Sequence, residues 1–245
     1  MALEVTVLGC GEAFDERYTN TSLLLRAEEK TILLDCGYSA PAPLWNAVAD
    51  PDALDLIYIS HAHADHCFGL PAVLGRMWEE GRRKPLVILS QPALLRQIHE
   101  SMEAGYPGLP ARFQYPIEYR EALPREPVDW EGFQFRFAPT RHSVTNLAIR
   151  VEAGGGRFCY SGDGQCTDES RALFAGANLL VHEAYSFDPS AVHGDLPGVI
   201  RMAADQNVSR LALVHIQRKI RREQGERIRA LDAVVPEPGD HLTLC

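Results

Sequence analysis

Basic charge is scarce in this chain. Its 24 lysines and arginines face 33 aspartates and glutamates, a formal net charge of −9 over 245 residues. Wrapping a long nucleic acid takes a broad basic surface, so the composition argues against that partner but not against a short phosphodiester. Long apolar runs are also missing. None approaches the ~20 residues that span a bilayer, so no membrane association is expected. The opening Met-Ala-Leu-Glu-Val-Thr-Val-Leu-Gly carries no basic segment ahead of an apolar one and alternates like a strand, so no signal peptide is expected. The six cysteines (10, 36, 67, 159, 166 and 245) show no Cys-x-x-Cys spacing. Buried free thiols in a reducing cytoplasm are the expectation. Only two basic clusters stand out, Arg82-Arg83-Lys84 and Arg218-Lys219-Ile220-Arg221-Arg222. Such runs are read as solvated faces. The second follows His215 closely, which puts Arg218 or Lys219 where it could meet a substrate phosphate.

What remains is an ordinary globular composition, 46% hydrophobic and 23% charged, and a length suited to one large α/β domain spanning 1–245. Strand patterns cover 3–8, 21–26, 31–35, 56–60 and 86–90, then 133–138, 146–152, 157–161, 179–182, 210–215 and 242–244. Helical spacing is read over 41–49, 68–80, 93–104, 168–174, 196–206 and 224–234. The Pro-rich stretch 106–127 reads as loose. Two strand-rich halves with helices outside imply an α/β fold, a four-layer α/β/β/α sandwich in which strand ends of both halves meet at one edge.

The polar residues at those ends carry the chemistry. Residues 61–66 read His61-Ala-His63-Ala-Asp65-His66, directly after an apolar run. Imidazoles and carboxylates are ligands for a borderline cation. Two residues apart in extended chain, His61 and His63 point the same way, and Asp65 with His66 suits a turn into a helix. His142, Asp163 and His215 each stand where another apolar strand stops.

His61-x-His63-x-Asp65-His66, followed in order by His142, Asp163 and His215, resembles the HxHxDH signature of the metallo-β-lactamase superfamily. Leu8-Gly-Cys-Gly-Glu-Ala-Phe with Asn20-Thr-Ser, Asp35-Cys36-Gly37, His66-Cys-Phe-Gly69-Leu-Pro71, Ser161-Gly-Asp163 and His182-Glu183-Ala184 narrow the resemblance to ribonuclease Z and its relatives. The resemblance implies that His61, His63 and His142 hold one Zn²⁺ and Asp65, His66 and His215 a second, with Asp163 bridging. Mn²⁺ or Fe takes the same donors. Two such ions, about 3.5–4 Å apart, stabilise the attacking and leaving oxygens of an in-line displacement. It further implies that Asp65 orients the attacking water and that His193, held by Glu183, protonates the leaving group. His182 is read as a buried neighbour of the site, and His99 and His241 as surface residues.

Departures from the branch bear on substrate. Only 20 residues separate His142 from Asp163, too few for the arm with which ribonuclease Z grips tRNA. Asp195, two residues after His193, would repel an anion. The reading is therefore a dinuclear metal-dependent phosphodiesterase acting on a small or cyclic phosphodiester or an RNA end. The alternatives are a carboxylic ester, lactone or thioester hydrolase, a tRNA 3′-processing endoribonuclease, and a non-catalytic metal-binding protein. Relatives dimerise through the helices after HxHxDH, which makes Leu70, Met77 and Trp78 candidates for a homodimer contact, with core packing the competing role for Leu70 and Met77.

Overall fold

Alternation of side chains between two buried faces organises the molecule. The computed structural model describes residues 3–244. Strands β1 (Glu4–Gly9), β2 (Ser22–Ala27), β3 (Lys30–Leu34), β4 (Leu56–Tyr58), β5 (Leu86–Ser90) and β6 (Ile117–Glu121) belong to the first sheet. Strands β7 (Val128–Trp130), β8 (Phe133–Pro139), β9 (Leu147–Ala153), β10 (Gly156–Tyr160), β11 (Leu179–Glu183) and β12 (Leu211–Val214) form the second. The last strand, β13 (His241–Thr243), returns to the first sheet and pairs with β1. The sheet orders are β13-β1-β2-β3-β4-β5-β6 and β12-β11-β10-β9-β8-β7. Pairings β3 to β6 and β10 to β12 are parallel.

Both faces of these strands are covered, so they read as nearly continuous apolar runs. In β2, Leu23 and Leu25 face the second sheet while Leu24 faces outward. In β10, Phe158 and Tyr160 face the first sheet while Cys159 faces outward. The outer face of the first sheet lies under α1 (Pro41–Ala47), α3 (Leu70–Glu79) and α4 (Pro92–Gly105), through Leu44, Leu70, Val73, Leu74, Leu94 and Ile98. The outer face of the second lies under α5 (Asp168–Phe174), α6 (Leu196–Asp205) and α8 (Gly225–Arg229). This is the expected α/β/β/α sandwich. No described helix is long and apolar enough to cross a membrane.

Differences from the sequence reading are local. The Pro-rich stretch contains β6, which has exposed Glu118, Tyr119 and Glu121 because it is an edge strand and therefore lacks a core-like pattern. Short β7 and the six-residue α7 (Arg218–Glu223) carried no assigned range, while the turn into a helix expected at Asp65 and His66 is the one-turn α2 (Ala64–Cys67). The helix expected over 224–234 ends at Arg229, because the chain turns to let Val234 exchange backbone hydrogen bonds with Leu211 and Leu213 of β12. Arg82 is not on a solvated face. It is wholly buried, and its guanidinium donates to the carbonyls of Pro51, Leu54, Lys84 and Pro85 at 2.6–2.9 Å. Cys10, Cys36, Cys67 and Cys159 are buried free thiols and Cys166 is half-buried, as expected, while Cys245 lies outside the described residues. Leu70 and Met77 are core residues, which leaves Trp78 alone of the three partly exposed.

Candidate metal centre

The parallel strands of both sheets run to one edge, and their carboxyl ends supply the site, as open α/β sheets generally do. After β3, Asp35 takes a left-handed conformation (φ 58°) that turns its buried carboxylate back into the molecule. One oxygen accepts the Ser60 N–H at 2.7 Å. The other accepts the Ser60 and Tyr160 hydroxyls and pairs with His66 Nδ1, each at 2.7 Å. This carboxylate ties β3, the end of β4 and the second sheet to one metal-type ligand. Gly37 follows, and a Cβ there would collide with the Asp65 carbonyl. One at Gly69 would collide with the Gly37 carbonyl. These contacts press the His61–His66 segment against the sheet edge. On the other sheet, the Asn146 side chain accepts the Asp163 N–H at 3.1 Å and donates to Thr140 and the Ser161 carbonyl, holding Asp163 in place.

The expected ligands converge in two clusters that share Asp163. In the first, His63 Nδ1 lies 3.1 Å from both His61 Nε2 and His142 Nε2, and Asp163 Oδ2 is 3.9 Å from each of those two. In the second, His66 Nε2 lies 3.2 Å from Asp65 Oδ2 and 3.5 Å from Asp163 Oδ1, while His215 Nε2 lies 3.3 Å from Asp65 Oδ2 and from Asp163 Oδ2. The donor set fits a metal. Nitrogens 2.0–2.1 Å from a tetrahedral ion sit about 3.3 Å apart, close to the 3.1 Å spacing seen. Buried His66 Nε2 and Asp163 Oδ1 have no hydrogen-bond partner in the protein, a cost that a cation between them removes. The opposite ring nitrogens of three ligands are held: His66 by Asp35, His61 by Ser60 Oγ at 3.0 Å, and His142 by the Val192 carbonyl at 2.8 Å. Such outer contacts fix the orientation of metal-binding imidazoles.

Charge is arranged to match. Burial disfavours the Asp163 anion, yet the neighbouring His215 and His66 charges outweigh it and hold the carboxyl well below its usual range. For Asp65 the opposing burial is overcome by the hydrogen bond from His215 and by His66 beside it. Burial, reinforced by neighbouring histidines, pushes His61 and His63 down, so both are neutral donors near pH 7. His66 and His215 go the other way. Burial opposes their protonation, but Asp163 with Asp35 raises His66, and Asp163 with Asp65 raises His215 to about 9. A cation binding there displaces protons, which couples its affinity to pH.

Beside this centre, Glu183 is buried, and its Oε1 accepts the Gly164 and Gly194 N–H groups at 2.8 and 2.9 Å. The same oxygen pairs with His193 Nδ1 at 3.2 Å. Burial works against protonation of His193, but the hydrogen bond and charge of Glu183 raise it above its ordinary value. His193 stacks on Tyr185 with centroids 4.7 Å apart and meets the edge of His142. His182 is buried below, 3.1 Å from Cys166 Sγ, and belongs to neither cluster. His99 and His241 are exposed. Asp195 does not face a substrate. It caps α6 by accepting the Gly198 N–H at 2.8 Å. Arg218 is committed to an ion pair with buried Glu12, and exposed Lys219 is not among the residues lining the cavity over the centre.

That cavity has a volume of about 340 Å³. Besides the ligands and His193 it is lined by Glu12, Phe14, Tyr38, Ser143 and Tyr185, none of which the sequence reading assigned to a site. Phe14 ends the Leu8-Gly-Cys-Gly-Glu-Ala-Phe motif and Tyr38 directly follows Asp35-Cys36-Gly37, but exposure at a cavity mouth leaves no periodic signal.

The family described as "Anti-Pycsar protein Apyc1" matches residues 3–232. The chain is similar to ribonuclease Z of Methanothermobacter thermautotrophicus, 28% identical over 91% of this chain and 89% of that protein. It is similar to Anti-Pycsar protein Apyc1 of Paenibacillus harenae, 25% identical over 79% and 82%. Among solved structures, its fold is like that of the metallo-beta-lactamase fold protein YhfI of Bacillus subtilis (TM-score 0.81, 21% identity, 99% and 100% covered). It is equally like that of human tRNase Z, short form (TM-score 0.81, 22% identity, 99% of each chain).

Proposed function

We propose, given that this chain belongs to the Anti-Pycsar protein Apyc1 family, that it is a metal-dependent hydrolase acting on a small, cyclic phosphodiester of nucleotide size. The observation that carries the reading is the pair of His/Asp clusters sharing Asp163, set beside the His193–Glu183 pair under one cavity. His61, His63 and His142 would hold one ion, Asp65, His66 and His215 a second, and Asp163 both, with zinc as the proposed metal. Two such ions would supply Lewis-acid neutralisation of the phosphate and a water of lowered pKa. Asp65, lining the cavity, orients the attacking water. His193, protonated and held by Glu183, gives its proton to the departing alkoxide, and the product is a phosphomonoester. A cavity of about 340 Å³, net charge −9 and the short stretch from His142 to Asp163 support a small substrate over a folded RNA.

We further propose that residues 1–245 act as one domain, since β13 near the chain end pairs with β1 at its start. The buried thiols support a reducing cytoplasm as the compartment. A homodimer through the surface around Trp78 is proposed, and sedimentation equilibrium tests it.

The test of function is turnover by the zinc- and manganese-loaded protein of 3′,5′-cyclic nucleotides, bis-p-nitrophenyl phosphate, a pre-tRNA, a lactone and nitrocefin. Cleavage of the first two that chelator abolishes and added metal restores is expected. Turnover confined to pre-tRNA, or to the carbonyl substrates, or to none, overturns the reading.

A further inference from the structure

The metal centre accounts for the floor of the cavity but not for its rim. Single exposed apolar side chains are common and need no explanation. Here two of the few large ones that are exposed among the described residues, Phe14 (73%) and Tyr38 (49%), line this one cavity.

The backbone that carries each ring is held in position. Phe14 stands on the loop after β1, and its N–H donates to Glu12 Oε2 at 2.8 Å. Glu12 is only 1% exposed and pairs through its other oxygen with Arg218. Further along, Asp15 Oδ1 accepts the N–H groups of Arg17 and Tyr18 at 2.9 and 3.0 Å. Tyr38 directly follows Gly37, whose backbone packs on the Asp65 carbonyl, and Ser39 beyond it is bonded to Asn20. A buried carboxylate paired with a surface arginine thus anchors a loop whose tip is a water-facing phenyl ring, and the second ring is indexed to a metal-type ligand.

An aromatic facing water on backbone held beside a phosphate site is what base stacking requires, because much of the ordering cost is met before the ligand arrives. We infer that Phe14 and Tyr38 form a nucleobase subsite. With the phosphodiester on the metal floor, the purine or pyrimidine of the same molecule lies against these rings. The volume agrees with a site for one small ligand. This inference rests on the phosphodiesterase reading of the floor and names the class of ester, a nucleotide. Every base has a π-face, so stacking separates nucleotides from base-free phosphates without strong choice among bases.

Binding to the zinc-loaded protein, measured by calorimetry, tests it with nucleoside 5′-monophosphates and ribose 5-phosphate as probes. Wild type is expected to bind each nucleotide roughly 5- to 100-fold more tightly than ribose 5-phosphate. Phe14→Ala and Tyr38→Ala should shrink that ratio severalfold, the double variant should bring it near one, and Phe14→Tyr with Tyr38→Phe should retain it. Circular dichroism checks that each variant is folded. A wild-type ratio near one, or a ratio unchanged in the double variant, overturns the subsite. Failure of the underlying reading looks different: nucleotides bind with the base-dependent ratio, yet no phosphodiester is cleaved.

Discussion

Replacing Asp35 by asparagine isolates the role of one buried carboxylate without changing its size. Asparagine keeps a single acceptor oxygen. Its NH₂ must then face either the Ser60 N–H, which can only donate, or the cluster of Ser60 Oγ, Tyr160 OH and His66 Nδ1. The two hydroxyls can rotate to accept, but His66 can accept only by moving its proton to Nε2, the nitrogen facing Asp65 and Asp163. The second orientation therefore takes the His66 Nε2 lone pair away, and the first sets the amide NH₂ against the Ser60 N–H and loosens the carboxylate's hold on His66. A hydrogen bond to a charged group contributes about 1.5–3 kcal/mol. Loss of an outer contact to a metal-binding imidazole typically lowers affinity about 10- to 100-fold, or about 1.4–2.7 kcal/mol. The two magnitudes agree, so Asp35→Asn is expected to weaken zinc binding 10- to 100-fold in competition with a chromophoric chelator. Tyr160→Phe removes a donor to the same oxygen but leaves His66 paired, and should weaken binding less than about threefold. Asp35→Asn within twofold of wild type, or the two variants equal, would refute the orienting role.

Three further outcomes are expected. Glu183→Gln should move the alkaline limb of the kcat profile to lower pH. Glu183 raises His193, and without that charge the proton donor is lost earlier as pH rises. An unshifted limb would remove His193 from the proton transfer. Gly37→Ala should lower metal affinity and thermal stability together, because the added methyl meets the Asp65 carbonyl, and a variant with wild-type titration and melting would show that this contact yields freely. Arg82→Met should destabilise by about 2 kcal/mol or more in urea, since four carbonyls lose their donor and that of Leu54 is buried. A loss under about 1 kcal/mol would mean that water replaces the guanidinium.

The histidines and aspartates that cluster were legible because His61, His142, Asp163 and His215 each stand where a dense apolar run stops, with His63, Asp65 and His66 directly after the first of them. The layers were legible for the same cause: strands buried on both faces leave long apolar runs. Features that depend on a distant partner were not. Asp35 was visible as part of a motif, but its left-handed backbone and its bonds to Ser60, His66 and Tyr160 exist only in three dimensions. Arg82 sits in a basic run that resembles a solvated face until its four carbonyl partners are seen. Asp195 carried a readable signal that was passed over: an aspartate before Leu-Pro is the usual start of a helix, and that is how it is used. Strand β6, an edge strand with three of its five residues exposed, had little pattern to offer.

The sharing of one centre between the two halves also constrains how the protein comes into being. His215 meets Asp65 across 150 positions of sequence. Long-range pairings of this kind form slowly and late, since the loop they close is expensive until both ends have structure. On the ribosome, a nascent chain exposes His61, His63, Asp65 and His66 long before His215 emerges. During that interval it can hold a metal loosely but not in the arrangement of the finished site. The proposed metal site is therefore complete only after both sheets have formed.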